Sequence, residues 1–580
     1  MAVGLYKGSY KRGRILSPIR CMWGSVFLSG VILMLPIYSQ RFSGGALHIL
    51  RTLLMSVYST MRQFILDGDL DTVLEYSEGL SQGLSAGYSL VGVILHVLAP
   101  ILTFGFVLSF FRNISSYREL LFHYRAPLYV FSELNEKSLV LAESIKQKDA
   151  RSFLVFTDVF ENREEPIFEL CEKVRELKGV CFRRDIVDIN WKMHRNTKPV
   201  SLFVIGEDEA ENIDQAIKLK ERYREDENFQ LYIFASSMES EILFNTAECG
   251  GMRIRRCNPI RSLINEMLYQ DGHIYFDQAI ERENGDRLIS VVLLGMGQYG
   301  MEMLKALTWF CQMDGYEVEI HAFDKNPDAR DILEKQCPEL MAPDKNGVYV
   351  EGDAYYTIAV YPGIDVTTIQ FADALKKISA ISHVFIALGS DGENTGAALD
   401  ARMLCSRNNQ HPVIQTIVHS HLKSKAMEKI SDYRGHPYDI HFIGDLQTTY
   451  SEQVVIHSQL ERAALERHLK WEKAREHEFW AYESNYRSSV AAAIHLKMRK
   501  HCRIPGADKR EEALTEAEKL SIGALEHRRW NAYMRSEGYI FSGSKDEGSR
   551  NDLAKMHHDL VPYVGLTDKE KPKDVRIGTN

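Results

Sequence analysis

Three glycines have the spacing of a turn that binds phosphate groups. The β-rich run 290–294 leads directly into Gly295-Met296-Gly297-Gln298-Tyr299-Gly300, and an apolar helical stretch, 301–312, follows. In such a turn the first glycine permits a tight bend, the second admits a pyrophosphate, and the third lets helix and strand pack closely. We therefore expect Gly295, Met296, Gly297, Gln298 and Gly300 to surround the phosphates of a bound nucleotide.

An acidic residue follows at the distance that this chemistry requires. The next predicted strand, 318–323, ends in Asp324, which lies 24 residues after Gly300. A carboxylate at this place accepts hydrogen bonds from ribose hydroxyls and repels a 2′-phosphate, which favours NAD or a related adenine nucleotide over NADP. The alternative is a fold that keeps its glycines for packing only.

Strand and helix signals alternate from residue 127 to about 445, which predicts an α/β fold with parallel sheets. In the second half, further strands are predicted at 348–350, 384–388 and 413–418; the first leads into Gly352-Asp353-Ala354 and the second into Gly389-Ser-Asp391-Gly-Glu-Asn394. With the glycine turn and Asp324, these motifs resemble the RCK domain, also called the Trk-type NAD-binding domain, over 287–445. The resemblance adds Gly352 and Asp353 to the expected nucleotide-binding residues.

A second, earlier copy of this pattern is predicted over 126–268. Strand 128–131 is followed by Ser132-Glu-Leu-Asn-Glu-Lys-Ser138 where glycines would be expected, and strand 153–156 leads to Asp158. The segment 201–212 repeats the pattern of 384–394, so the chain contains an internal duplication. Bulky side chains in place of glycine would fill the space of a pyrophosphate, so this copy is interpreted as structural or dimerising.

The first 111 residues are predicted to be a membrane region. Two charge-free, mostly apolar segments, about 21–40 and 88–111, are long enough to cross the hydrocarbon layer, although a cleaved signal peptide is an alternative for the first. Basic residues flank the pair, and acidic residues dominate between them. We therefore expect a two-pass protein of the inner (plasma) membrane with both termini and the main body in the cytoplasm.

Two further features of this region bear on a pore. The segment 46–66 has apolar residues at helical spacing and is predicted to be an amphipathic helix on the outer face or between subunits. His96 is the ionisable residue deep in the second segment, and such residues tend to face a bundle interior or cavity. His96 is thus a possible pore residue, and because two spans cannot enclose a pore alone, a pore would require a homo-oligomer.

After residue 446 the pattern becomes helical. Glu526-His527-Arg528-Arg529-Trp530, Gly538-Tyr539 and His557-His558-Asp559-Leu560-Val561-Pro562-Tyr563 resemble the ryanodine-receptor repeat (RyR domain) over 450–575, with Tyr539 at a position usually held by Trp. Arg529 and Trp530 offer a forked donor and a stacking face, which suit a phosphorylated or aromatic ligand. Alternatively, Trp530 belongs to the core and the arginines pair with Glu526 or Glu537. We expect no metal, because adjacent His side chains on a helix diverge.

Composition narrows the class of protein. The net charge of −9 gives no reason to expect nucleic-acid binding, and nine dispersed cysteines without a CxxC pair are typical of reduced thiols. No catalytic constellation is recognisable. The sequence therefore predicts a ligand-sensing membrane protein in which a bound nucleotide controls an oligomeric two-span module in contact with lipid, either an ion channel or a membrane effector. A membrane-anchored NAD-dependent oxidoreductase and a membrane-tethered scaffold are the alternatives.

Overall fold

The computed structural model describes residues 18–42, 44–45, 47–123, 126–159, 167–193, 199–244, 250–283, 285–341, 356–429, 432–471 and 474–579. The chain forms two compact units, Met1–Phe122 and His123–Asn580. Each unit is described by itself.

The first unit is helical in its described residues. Its helices are α1 (Pro18–Arg41), α2 (His48–Gln63), α3 (Leu70–Glu78) and α4 (Gln82–Phe122). Within α1 and α4, the described stretches Trp23–Arg41 and Gln82–Phe104 are long and apolar enough to cross a membrane, with mean hydropathies of 1.3 and 1.8. The second of these helices begins six residues before the predicted span.

Helix α2 has an inverted arrangement of polar and apolar residues. Its buried side chains are polar: Thr52, Ser56, Ser59, Thr60 and Gln63. Its exposed side chains include Ile49, Leu50, Leu53, Leu54, Tyr58 and Met61. The predicted amphipathic helix is therefore present, but its apolar face lies on the outside of the unit. A helix in a water-soluble fold usually buries its apolar face, and α2 does not do so within this unit.

Small residues allow the helices of this unit to approach closely. A Cβ atom at Gly30 of α1 would lie 2.7 Å from Thr60 of α2, and one at Gly92 of α4 would lie 2.6 Å from Val73 of α3. Close contacts at small residues are typical of helix packing in membranes.

The second unit begins with a parallel sheet. Its elements are β1 (Leu128–Phe131), α5 (Glu136–Lys148), β2 (Phe153–Thr157), α6 (Ile167–Glu176), β3 (Val180–Phe182), β4 (Val200–Val204), α7 (Glu209–Tyr223), β5 (Phe229–Phe234), α8 (Met238–Phe244), β6 (Arg253–Cys257), α9 (Pro259–Asp271) and α10 (His273–Asp277). The strand order is β3-β2-β1-β4-β5-β6. This order places a crossover point between β1 and β4, where doubly wound sheets bind ligands.

The second sheet repeats that order. Its elements are β7 (Ile280–Glu281), β8 (Arg287–Leu294), α11 (Gln298–Phe310), β9 (Tyr316–Asp324), α12 (Ala329–Gln336), β10 (Tyr356–Pro362), α13 (Ile369–Lys376), β11 (His383–Ile386), α14 (Asp391–Arg407), β12 (Val413–Ile417), α15 (His421–Glu428), β13 (Asp432–Tyr433), β14 (His436–Pro437) and β15 (Ile440–Ile443). The order is β10-β9-β8-β11-β12-β15, with β7 antiparallel to β8. The crossover point therefore lies between β8 and β11.

The remaining chain is mainly helical. Its elements are α16 (Leu446–Thr449), α17 (Glu452–Val455), α18 (Gln459–His468), α19 (Glu476–Ala481), α20 (Glu483–His501), α21 (Glu516–Ser536), β16 (Ile540–Phe541), β17 (Met556–His557) and α22 (Lys571–Ile577). One hydrophobic core joins β8 and α11 to α20 and α21 through residues such as Leu293, Leu304, Ile494 and Leu525. The predicted α/β class, with parallel sheets followed by a helical region, is confirmed.

Candidate nucleotide site

The glycine turn between β8 and α11 depends on two of its glycines for its shape. Gly295 has φ +91°, and a Cβ atom there would lie 2.4 Å from the carbonyl oxygen of Ala387 on the neighbouring chain segment. A Cβ atom at Gly300 would lie 1.8 Å from the carbonyl oxygen of Gly295. Only glycine fits at these two positions, so the turn passes close to β11 and α11 starts tightly against the strand.

Gly297 has a different role. It is the N-cap residue of α11, and no side chain among the described residues caps this helix. A Cβ atom at Gly297 would meet nothing within 4 Å, so the space in front of the helix is open. The first N–H groups of a helix lack partners within the helix, and together with the helix dipole they attract anions. Gln298, the first helical residue, is exposed beside this opening.

Asp324, at the end of β9, is already bonded to the turn. One of its carboxylate oxygens accepts a hydrogen bond from the backbone N–H of Met296 at 2.5 Å, and the other accepts from the N–H of Asn326 at 2.7 Å. The Met296 side chain is buried beneath the turn. Because each carboxylate oxygen has further lone pairs, the half-buried Asp324 keeps capacity to accept from a ribose hydroxyl.

The opposite wall of the crevice follows β11. Gly389 has φ +134°, and Ser390 caps α14 by accepting a hydrogen bond from the N–H of Glu393. The Asp391 carboxylate accepts from the backbone N–H groups of His419 and Ser420, each at 2.9 Å. Asp391 therefore ties α14 to the end of β12, a structural role that sequence patterns did not reveal.

The first sheet has a different turn at the equivalent place. Phe131 of β1 pairs with Phe203 of β4, as Leu293 of β8 pairs with Phe385 of β11. Phe131 therefore corresponds to Leu293, and Glu133, Asn135 and Ser138 occupy the positions of the three glycines. The Asn135 side chain makes two hydrogen bonds: Oδ1 accepts from Ser138 N–H at 2.8 Å, and Nδ2 donates to the carbonyl of Ile205 at 2.8 Å. A Glu133 carboxylate oxygen accepts from Glu207 N–H at 2.9 Å. Side chains thus fill the entrance of this helix, and a carboxylate lies in the crevice.

The acidic residue after the second strand behaves alike in both sheets. The Asp158 carboxylate accepts from the N–H of Leu134 at 3.0 Å, which matches the bond from Met296 to Asp324. This bond fixes the turn whether or not the turn contains glycine. The acid alone therefore does not mark a nucleotide site, and the difference between the sheets lies in the turn.

Two predicted site residues, Gly352 and Asp353, fall outside the described part of the chain, as does the strand predicted at 348–350. The strand that pairs with β9 is Tyr356–Pro362, so its carboxyl end lies at Pro362 and Gly363. The sequence pattern did not predict this strand, because two β-rich runs follow each other closely here.

The predicted residues of the C-terminal region lie along α21. Arg529 is buried and its Nη2 donates to Glu526 at 2.7 Å, the pairing that the sequence offered as the alternative to ligand binding. Trp530 is half-buried, with its ring edge-on to His557 at 5.0 Å. Nearby, the candidate ligand atoms of His557, His558 and Asp559 all lie within 4.8 Å of one another. His557 ends β17 and His558 follows it in a turn, so the expected helix is absent here, and the two rings stack with centroids 4.8 Å apart. The reason given for expecting no metal is therefore wrong, and the absence of a metal stays a prediction.

His96 is half-buried in the first unit. Its Nδ1 is 2.8 Å from the carbonyl oxygen of Gly92, one turn earlier in α4. Its ring packs against Gly68, where a Cβ atom would lie 2.6 Å from His96 Cδ2. Within one chain, His96 thus faces the segment between α2 and α3.

No protein-family model matches the sequence, and no curated protein matches it. Among solved structures, the chain is similar to GsuK bound to ADP, at 13% identity and a TM-score of 0.35, over 75% of this chain and 98% of that one. It is also similar to one subunit of dipicolinate synthase from Bacillus halodurans, at 10% identity and a TM-score of 0.20, over 58% of this chain and 98% of that one. Both scores are low, so neither likeness bears on function.

Proposed function

We propose that this chain is a ligand-sensing membrane protein. In this proposal, NAD or a related adenine nucleotide binds at the glycine turn of the second sheet and controls an oligomeric membrane module. The observation that carries it is the contrast between the two turns. The helix after Gly297 opens without a side-chain cap, whereas Asn135 and Ser138 close the equivalent helix in the first sheet.

The site favours a nucleotide that has no phosphate group on its ribose 2′-hydroxyl. The phosphates would lie against the N–H groups at the start of α11, and the ribose would reach Asp324 at the end of β9. A 2′-phosphate would meet the Asp324 carboxylate, so NAD or ADP fits better than NADP. As an RCK-like pair, the first sheet would serve as the structural or dimerising partner, and residues 450–575 would form the RyR domain.

The membrane part of the proposal rests on the first unit. Stretches of α1 and α4 are apolar enough to cross a bilayer, and α2 turns its apolar face outward. One chain offers too few helices to enclose a pore, so several copies would assemble it. The proposed location is the inner membrane, with both termini and the sheets in the cytoplasm.

Calorimetry of the full-length protein in detergent tests the nucleotide site. We expect NAD or ADP to bind the wild type, and Gly297→Asp to weaken binding by at least tenfold, because it adds a carboxylate where the phosphates would lie. The open space at Gly297 lets this side chain fit without a clash. The matched control is Gly396→Asp, which adds the same charge at an exposed position of α14 that also has no neighbour within 4 Å.

Ion flux from liposomes tests the output. Nucleotide should change the flux through reconstituted wild type and should leave Gly297→Asp unaffected. If the wild type binds no adenine nucleotide, the proposal is wrong. If it binds NAD and oxidises or reduces a substrate with it, the oxidoreductase alternative holds instead.

A further inference from the structure

A large cleft lies in the second unit, away from the glycine turn. Its volume is about 1320 Å³, above the roughly 300–1,000 Å³ that is usual for small-molecule sites. Its lining comes from α8 of the first sheet, from α19 to α21, and from the segment around β17 and α22. The cleft therefore has room for a ligand larger than a simple ion.

A buried arginine lines this cleft with an unused donor. Arg529 is 1% exposed, and its Nε and Nη2 donate to one oxygen of Glu526 at 3.1 and 2.7 Å. Its Nη1 is buried and has no hydrogen-bond partner among the described residues. An unsatisfied donor of a buried charged group is costly, so this group is suited to an acceptor supplied by a ligand.

The surroundings of Arg529 hold more positive than negative charge. Arg499, which is fully buried, also donates to Glu526, so two guanidinium groups share one carboxylate. The next carboxylate, Asp574, lies 3.1 Å from His527 Nδ1. Burial lowers the pKa of His527, but Asp574 outweighs this effect and the pKa is raised. Asp574 is thus committed to His527, and the excess positive charge favours an anion.

Charges at the rim of the cleft pair with each other instead. Lys569 lies 2.8 Å from Glu547, Lys573 lies 2.5 Å from Glu570, and Arg550 lies 3.0 Å from Asp552. These three rim pairs are therefore neutral, whereas the excess positive charge around Glu526 is buried. An anion would be drawn past the rim to Arg529.

The same cleft presents aromatic and polar groups to a ligand. Trp530 is half-buried next to Arg529, and Trp471 lines the cleft with 38% of its surface exposed. The buried Nδ1 of His558 has no hydrogen-bond partner in the described chain, and its Nε2 lies 3.4 Å from Asp559. A planar ring could stack on an indole, and a hydroxyl or amino group could bond to His558.

We propose that this cleft is a second ligand site. It takes an aromatic molecule of about nucleoside monophosphate size that carries a phosphate or carboxylate group. Arg529 binds the anionic group, and the indole rings contact the aromatic group. The site depends on its own residues and not on the glycine turn, so it goes beyond the proposed function.

The test uses the full-length Gly297→Asp protein, in which the glycine turn is blocked. Calorimetry with AMP and with indole-3-acetate covers the phosphate and carboxylate forms of the ligand, and adenosine lacks the anion. We expect AMP or indole-3-acetate to bind at one site per chain, and adenosine to bind at least tenfold more weakly than AMP.

Neighbouring arginines of α21 supply matched variants. Arg529→Lys keeps the charge but loses the forked donor, and it should weaken binding at least tenfold. Arg528→Lys, at a residue that pairs with Asp314 at 2.6 Å and does not line the cleft, should change affinity less than twofold. Equal binding by the two variants, or no binding to the Gly297→Asp protein, overturns the proposal.

Photolabelling with 8-azido-AMP gives a readout that does not depend on how a variant folds. On the unsubstituted protein, the label should appear on peptides that carry cleft residues such as Trp530 or Trp471, and AMP should compete. A label found solely on the glycine turn overturns the second site. A label in the cleft without any at the glycine turn supports the second site and contradicts the proposed function.

Discussion

A buried histidine shows at the scale of one residue how the second sheet responds to acid. His383 begins β11, is 1% exposed, and stacks on Tyr275 with ring centroids 4.3 Å apart. Its ring nitrogens lie near Ser382 Oγ and the carbonyl oxygen of Ile274. Burial lowers the pKa of His383 to about 3. The folded protein therefore holds this imidazole neutral at every physiological pH.

Stability should fall as the pH drops through this window. Between about pH 6.5 and about pH 3, His383 is protonated in the unfolded chain and neutral in the folded chain. The free energy of unfolding therefore falls by roughly 1.4 kcal/mol for each pH unit in this window. We expect His383→Gln to flatten the acid side of a plot of unfolding midpoint against pH. The exposed His411→Gln should follow the wild type. Parallel curves for wild type and His383→Gln would contradict the prediction.

Single residues also show what a sequence reveals about a site. Gly295, Gly297 and Gly300 could be recognised because the strand, the turn and the helix that they join follow each other directly in the sequence. The contacts that distinguish the two turns, such as Glu133 with Glu207, join residues 74 positions apart. No spacing rule predicts such a contact, because it depends on how the strands pair.

At the scale of the elements, a buried ion network holds the helix that starts at the glycine turn. Arg261 of α9 contacts Glu302 of α11 at 2.6 Å and Glu537, at the end of α21, at 3.0 Å. Arg487 of α20 contacts Glu537 at 3.2 Å. Burial raises the pKa of Glu537, but the two arginines outweigh it and the pKa falls to about 2. Three helices are thus bound through one carboxylate.

Removing Arg261 should therefore destabilise the protein strongly. Arg261→Met leaves Glu302 and Glu537 poorly compensated in the interior, and the expected cost is about 3–5 kcal/mol. The more exposed Arg282 also contacts two carboxylates, Glu317 and Glu319, so Arg282→Met is a matched control with an expected cost of about 0–1 kcal/mol. Urea unfolding measures both. Equal losses would mean that burial of the network contributes nothing.

Helix α2 offers a second prediction at this scale. Because Leu53 is exposed and Ser59 is buried, a spin label at Leu53→Cys should be reached by oxygen dissolved in lipid and not by a water-soluble nickel reagent. A label at Ser59→Cys should be reached by neither, and one at the exposed Asp71→Cys should be reached by the nickel reagent. Strong access of nickel to Leu53→Cys would show that α2 lies in water.

Elements differ in how far the sequence determines them. The repeated strand order could be expected from the alternation of strands and helices and from the duplication. The outward apolar face of α2 could not, since periodicity gives the two faces of a helix and not which one is buried. The position of β10 was missed because its run follows the strand predicted at 348–350 closely, and the pairing with β9 that marks β10 joins residues far apart in the sequence.

At the scale of the whole molecule, the unequal distribution of charge predicts the orientation in the membrane. Basic residues lie before α1 or in its first turn, and after the apolar part of α4: Lys7, Lys11, Arg12, Arg14, Arg20, Arg112, Arg118 and Arg125. The segment between these helices carries Arg62, but Asp67 and Asp69 lie 3.0 and 3.1 Å from its guanidinium group and neutralise it. The Arg62 guanidinium group is thus held in ion pairs within the connecting segment.

Basic flanks remain in the cytoplasm, so residue 75 in α3 and the C-terminus should lie on opposite sides of the membrane. Alkaline phosphatase is active only outside the cytoplasm, whereas green fluorescent protein fluoresces poorly after export from it. We expect a fusion at residue 75 to be active with the phosphatase and dark with the fluorescent protein, and fusions at the C-terminus to give the reverse. Matching signals at both positions would mean that α4 does not cross. Reversed signals, with residue 75 inside and the C-terminus outside, would mean that α2 crosses as a third span or that α1 does not cross. In either case the sheets would lie on the other side from the nucleotides of the cytoplasm, and the proposed sensing of those nucleotides would fail with the topology.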